Sequence, residues 1–244
     1  MILENKKYSL VVDLDNSLLN IDLFKEALGK SLLKKPWIFF KTVSLALSNK
    51  AKAKTFISKE YKIECHIQPY NNKVIDILND YRGRGYQILL STGASNVYAH
   101  QIAKHIGLFD KVIASDEQNN NVGENKLNPI KAEVGNDFIY LGDSIKDIPV
   151  WLHCNKAILV GDNDYIKKKL KKNNVEIIDI VKKEKSIIAV LIKQLRIYQW
   201  SKNLLLFVPA IASHQIMVSD VFINALRGFI AFSLLASSIY ILND

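Results

Sequence analysis

Two periods of apolar spacing divide the first 180 residues. Tyr8-Ser-Leu-Val-Val12, Tyr86-Gln-Ile-Leu-Leu90, Lys111-Val-Ile-Ala-Ser115, Phe138-Ile-Tyr-Leu141 and Ala157-Ile-Leu-Val160 are short apolar runs bounded by polar or glycine positions. Runs of this length read as buried strands. Val175 to Ile180 reads as a sixth. Between them the spacing turns helical. Val74, Ile75, Ile77, Leu78 and Tyr81 mark a helix that ends at Gly83 or Gly85; Ser95–Ile106 is closed by Gly107; Lys126–Val134 carries Pro129 in its first turn, where proline is tolerated. Strands alternating with helices predict an α/β, Rossmann-like parallel sheet covered on both faces. Residues 20–70 interrupt the alternation. Leu23, Phe24, Ala27 and Leu28, then Ile38, Phe39, Val43 and Leu47, predict a small helical insertion behind the first strand. Within it, Trp37-Ile-Phe-Phe40 reads as helical core, with a membrane-touching face as the alternative.

After Lys185 the pattern becomes continuously apolar. Leu204–Ala212 is nine residues without charge, and Val221–Leu242 is 22 residues with only Arg227 charged. The second run would span about 33 Å as a helix, enough for a bilayer core. The reading is a pair of apolar transmembrane helices, with a soluble helical hairpin as the alternative.

Charge bears on the same question. The net charge is +9, and residues 167–202 hold eleven basic and three acidic residues, a net of 11 − 3 = +8. A basic segment suits nucleic acid or a membrane surface. Beside an apolar run it reads as a cytoplasmic flank by the positive-inside rule, so no nucleic-acid partner is expected. The expected location is the inner (cytoplasmic) membrane, with the N-terminal domain in the cytosol. Cys65 and Cys154 form no CxxC and the five histidines no ligand spacing, so neither type is expected to hold a metal.

The candidate chemistry lies at the strand ends, where open parallel sheets bind ligands. The first strand runs into Asp13-Leu-Asp15-Asn-Ser17. Alternation puts both carboxylates on one face, and such a pair requires a cation or a shared proton to persist. Mg²⁺ sites often combine one or two carboxylates with phosphate oxygens. The second strand ends in Ser91-Thr92-Gly93. The fourth ends in Gly142-Asp143-Ser144, with Asp147 one turn on. Taken alone, Asp13/Asp15 also reads as a strand running into an acidic turn, and Asp143/Asp147 as a helix cap.

Together these stretches resemble the haloacid dehalogenase (HAD) superfamily of phosphohydrolases across residues 5–180. DxDx[TS][LV] matches Asp13–Leu18, with asparagine and serine in place of the commoner glycine and threonine. GDSxxD matches Gly142–Asp147 in full. The second motif falls on Thr92 or Ser91, and the third-motif lysine on Lys126 or Lys131. The resemblance implies a Mg²⁺-dependent phosphatase of the HAD fold over residues 1–183, with a cap at about 20–70. Asp13 would be the nucleophile and Asp15 the acid and base. Asp13, Asp15 (through its carbonyl), Asp143 and Asp147 would serve the metal. Thr92 and Lys126 are the other catalytic candidates; Ser91, Gly93 and Lys131 are candidates for phosphate binding. The substrate would be a phosphorylated small molecule or a polyprenyl-linked sugar phosphate.

Tyr198-Gln-Trp200-Ser-Lys202-Asn203 and the closing Asn243-Asp244 resemble the opening of a UbiA-type prenyltransferase. HAD–UbiA fusions similar to decaprenyl-phosphate phosphoribosyltransferases share this arrangement. Residues 184–244 would then be a basic flank and the first two spans of an incomplete transferase domain. Its expected partners are membrane lipid and the rest of the transferase. The alternative function is a fragment of a bifunctional transferase acting on polyprenyl phosphate or diphosphate.

Overall fold

The computed structural model describes residues 8–183 and 197–243, which fall into two compact units, 1–184 and 185–244. In the first unit six parallel strands lie in the order β3-β2-β1-β4-β5-β6. They are β1 (Ser9–Val12), β2 (Gln87–Ser95), β3 (Lys111–Ser115), β4 (Phe138–Gly142), β5 (Lys156–Val160) and β6 (Glu176–Val181). The central strands are buried at every position because both faces are covered. Leu10, Val12, Ile88, Leu90, Ile139 and Leu141 enter one core; Val11, Leu89, Phe138, Tyr140 and Leu159 enter the other. The even spacing of each set is the strand period in the sequence.

The helices between strands are α4 (Asn72–Gly83), α5 (Asn96–Ile106), α6 (Leu127–Val134), the single turn α7 (Ile148–Trp151) and α8 (Asp164–Lys172). α5 begins on the Ser95 side chain, which accepts from the Val97 amide, and stops at Gly107 in the left-handed region. The sequence reading does not include α8. Five of its nine residues are lysine, and only Ile166 and Leu170, one turn apart, reach the core.

The insertion is three helices, α1 (Leu23–Lys34), α2 (Pro36–Ser48) and α3 (Lys50–Glu60). Its two legs are tied at the neck. The Asn20 amide donates to the Pro69 carbonyl (2.8 Å), and the Asn71 amide to Leu18 (2.9 Å). One expectation is corrected here. Ile38 of the aromatic cluster is buried, but Trp37 and Phe40 face solvent, because the helical period puts them opposite the buried side of α2.

In the second unit a 3₁₀ segment (Ile197–Phe207) leads into α9 (Val208–Ala212) and then α10 (Ser219–Asn243). Trp200 Nε1 donates to Ser237 Oγ (3.1 Å), and Asn203 Nδ2 to Ser233 Oγ (2.9 Å). Among the described residues, one helix, Ser219–Ile239, is long and apolar enough to cross a membrane. The expected first span is not a second such helix. The apolar helical stretch ahead of α10, Trp200–Ala212, is too short, and the chain turns at His214, whose φ is +54°. Lys185, Lys193 and Arg196 of the basic flank and Asp244 lie outside the described residues.

Candidate active site

The chain leaves β1 through a wide turn, Leu14–Leu18, whose Leu19 amide donates to the Leu14 carbonyl (2.9 Å) five residues back. Asn16 holds this turn at φ +57°. The left-handed region favours glycine, and asparagine is among the side chains that best tolerate it. The turn delivers Asp13 and Asp15 to a cavity of about 530 Å³ beyond the strand ends.

Asp13 is buried and meets Lys126, whose Nζ lies 2.7 Å from Asp13 Oδ1, 2.9 Å from Asp147 Oδ1 and 2.8 Å from the Tyr140 hydroxyl. The Tyr140 hydroxyl also donates to Asp147 Oδ1 (2.9 Å). The Ser144 amide and hydroxyl both donate to Asp147 Oδ2 (3.1 and 3.0 Å). Both oxygens of Asp147 are thus held by donors from the protein, two on each. Among the described residues, Asp13 Oδ2 has only a long bond from Ser17 Oγ (3.4 Å).

One buried lysine cannot serve two carboxylates equally. Burial pushes Asp13 up to about 8 against the opposing pull of Lys126, with Asp147 adding repulsion. Burial also acts on Asp147, but Lys126 and its three other hydrogen bonds hold it below the ordinary carboxylate range. Asp15 is pushed up to about 7 by burial and by the charge of Asp22. Its Oδ1 accepts from the Leu23 amide (3.0 Å), the first residue of α1, so it joins the sheet end to the cap. Burial raises Asp143 as well, opposed by Lys183, whose Nζ lies 3.0 Å from Asp143 Oδ2.

Asp13, Asp143 and Asp147 each offer an oxygen within 4.8 Å of the others. Three crowded carboxylates, two of them shifted upward, are a donor set short of positive charge. Hard oxygen donors in that state fit a divalent cation such as Mg²⁺. With Asp147 saturated by four protein donors, Asp13 and Asp143 are the carboxylates of this cluster available to hold it.

Two glycines are fixed by close approach. A Cβ on Gly142 would lie 2.8 Å from Tyr140 Cε1 and 3.0 Å from Asp147 Oδ2; one on Gly93 would lie 2.6 Å from Val122 Cγ2. Gly93 lines the cavity, and its carbonyl accepts from Lys54 Nζ of α3 (2.6 Å). The cavity lining includes Asp13, Asp15, Gly93, Lys126, Asp143 and Asp147 but not Ser91, Thr92 or Lys131. Thr92 is buried, its Oγ1 accepting from the Ala94 amide (3.0 Å). Ser91 Oγ accepts from Asn121 Nδ2 (3.4 Å). The sequence reading assigned no role to Tyr140, Lys54 or Lys183. An aromatic in a buried strand reads as core, and only its position on the face of Asp143's neighbour Gly142 hints at the site.

No family model matches the chain. It is 31% identical over 243 residues, 98% of its own length, to the uncharacterized protein y4nM of Sinorhizobium fredii (strain NBRC 101917 / NGR234), and spans about half (46%) of that relative. Among solved structures it is similar to a protein of unknown function from Bordetella pertussis Tohama I (13% identity, 72% of this chain and 99% of that one, TM-score 0.56). It is also similar to a substrate-bound phosphoserine phosphatase (15% identity, 74% and 96% covered, TM-score 0.51). With the parallel sheet and the helical insertion behind its first strand, these likenesses show that the first unit has the Rossmann-like HAD fold.

Proposed function

We propose that the chain is a Mg²⁺-dependent phosphatase that cleaves phosphomonoesters through a phosphoaspartate at Asp13. The observation that carries this is the meeting of Asp13, Asp143 and Asp147 with Lys126 at the strand ends, below a cap tied in by Asp15. An Asp13 carboxylate oxygen attacks phosphorus as the bond to the leaving oxygen breaks, and Asp15 gives that oxygen its proton. Water then attacks the phosphoaspartate, Asp15 takes the water's proton, and inorganic phosphate leaves. Asp15, pushed up to about 7, can exchange a proton in both directions near neutral pH. Lys126 balances the carboxylate cluster and Asp147 positions Lys126. Asp143, Asp13 and the Asp15 carbonyl would hold the cation. Mg²⁺ would supply charge neutralisation on the transferring phosphoryl group. The Gly93 amide is the candidate phosphate contact at the cavity; Thr92 and Ser91 would need to turn toward it, and Lys131 is the weaker of the two lysine candidates.

The substrate is a phosphorylated small molecule; a polyprenyl-linked sugar phosphate suits a chain tethered by α10. Tethering is supported by the apolar Ser219–Ile239 stretch and by the exposure of Phe222, Phe232, Leu235 and Ile239 along it. Positive residues before the tail favour a cytosolic first unit at the inner membrane.

The full chain in detergent should hydrolyse a generic aryl phosphate only with Mg²⁺, and Asp13→Asn should abolish turnover. No turnover across a broad panel of phosphomonoesters, with wild-type folding intact, would overturn the reading. A second reading treats the tail as the opening of a UbiA-type transferase. Its support is that similarity to the Sinorhizobium protein runs through the tail while this chain spans 46% of it. An in-frame aspartate-rich motif encoded soon after Asp244 would favour that reading, and its absence would count against it.

A further inference from the structure

The outer face of α2 has the composition of a surface that meets lipid. Its exposed positions, Trp37, Phe40, Lys41, Ser44, Leu47 and Ser48, recur at three- and four-residue steps and so form one stripe. Trp37 is 57% exposed, Phe40 66% and Leu47 86%, and Leu33 at the end of α1 is 85% exposed. Isolated exposed apolar residues are ordinary, but an aligned aromatic and aliphatic stripe is not. The helix is apolar on its inner side as well, where Ile38 is buried and Ala46 lines the cavity. The stripe is therefore surplus to holding the cap together.

Charge selects the occupant. From Glu26 to Glu60 the chain has eight lysines and no acid between those two glutamates; Lys30, Lys54 and Lys59 are engaged by Glu26, the Gly93 carbonyl and Glu117, and Lys34, Lys35, Lys41, Lys50 and Lys52 supply the positive surface. A protein partner with an apolar patch would need no such bias, and a second copy would set lysine against lysine. A bilayer surface with anionic head groups offers both an apolar layer for Trp37 and Phe40 and negative charge for the lysines. Tryptophan at the level of the head groups is the usual anchor.

We infer that the cap docks on an anionic membrane through the Trp37, Phe40 and Leu47 face of α2, with Lys34, Lys35 and Lys41 on the lipid head groups. This contact is separate from the apolar tail and does not rest on the phosphatase reading.

The test uses the full chain in nanodiscs of phosphatidylglycerol and phosphatidylcholine, with or without bromine on the acyl chains. The tryptophan emission of Trp37→Phe is subtracted from that of wild type, which isolates Trp37 from Trp151 and Trp200. The expected difference spectrum is blue-shifted and loses intensity in brominated discs, and the loss shrinks in discs of phosphatidylcholine alone. Replacing Phe40 and Leu47 by serine, both exposed and neutral to folding, should red-shift the Trp37 emission and remove the quenching. A Trp37 signal untouched by bromine overturns the proposal, as does failure of the chain to associate with the discs. Equal quenching in phosphatidylcholine discs overturns the preference for anionic lipid. Dimerisation in detergent that the serine variant abolishes, with Trp37 unquenched, gives the face to a second copy instead.

Discussion

Tyr140 shows how much of the candidate site rests on groups that carry no signature. Its ring packs edge-on to Trp151, and its hydroxyl takes a bond from Lys126 and gives one to Asp147. Burial and the Asp147 charge push the phenol far above its usual range, so it serves as a neutral donor. Tyr140→Phe should leave the fold intact and lower cation affinity and turnover by about 10-fold, because Asp147 loses a donor and Lys126, the partner of the candidate ligand Asp13, loses an acceptor. Calorimetric Mg²⁺ titration beside an aryl phosphate assay would check it. Gly142→Ala should do more harm than its size suggests, because the new methyl displaces Asp147 or the Tyr140 ring. Turnover should fall sharply while far-ultraviolet circular dichroism stays unchanged. Asp13 gives a pH test. Burial pushes its carboxyl up to about 8, so below that pH a proton must leave when the cation binds. Mg²⁺ affinity should therefore climb with pH, by up to about tenfold per unit for one displaced proton, and level off above about 8. Once Mg²⁺ is saturating, Asp15 governs the other limb: kcat should decline above about 7 as the acid loses its proton. Affinity that is flat from pH 6 to 8 would contradict the first statement.

At the scale of elements, legibility followed burial on both faces. β1, β4, β5 and the first half of β2 are mostly apolar, so they read as buried strands, and their polar ends mark the rim of the site. The grouping of Asp13, Asp15 and Asp143 was legible because two separate buried runs end in carboxylates, although each pair alone also reads as an acidic turn or a helix cap. Lys54 was not, since nothing in Lys50-Ala-Lys-Ala-Lys54 says which lysine turns inward to the Gly93 carbonyl. α8 escaped because a helix with two core contacts leaves almost no period to read. The outward turn of Trp37 and Phe40 was misread because α2 carries large apolar side chains on both sides, and composition alone cannot choose its buried one. Within the sheet layer, Trp151 is fully buried and its Nε1 donates to the Tyr140 carbonyl (3.1 Å). Trp151→Ala should cost ~3–5 kcal/mol, typical of emptying a large aromatic site. A chemical-denaturation midpoint close to that of wild type would show that α7 is not structural.

At the scale of the molecule, two kinds of surface meet different demands. The first unit closes both sheet faces and gathers its acids at one rim. The second leaves long apolar side chains in the open: Leu205 is 73% exposed and Met217 91%. In water such a segment would aggregate. Expressed in cells, the full chain should therefore sediment with membranes and resist alkaline extraction, whereas a purely peripheral chain would be released. The tail was half legible. The 22-residue run is one continuous helix, but the shorter run ahead of it folds as a 3₁₀ segment and a single short helix that ends before the turn at His214.

The most direct test of the account is a crystal of the full chain soaked with Mn²⁺, which scatters anomalously and replaces Mg²⁺ among oxygen ligands. One strong anomalous peak is expected at ordinary metal–oxygen distance from the carboxylates of Asp13 and Asp143, with Lys126 still on Asp147. A fully occupied peak elsewhere, or none at saturating Mn²⁺ with both carboxylates facing the cavity, would contradict it.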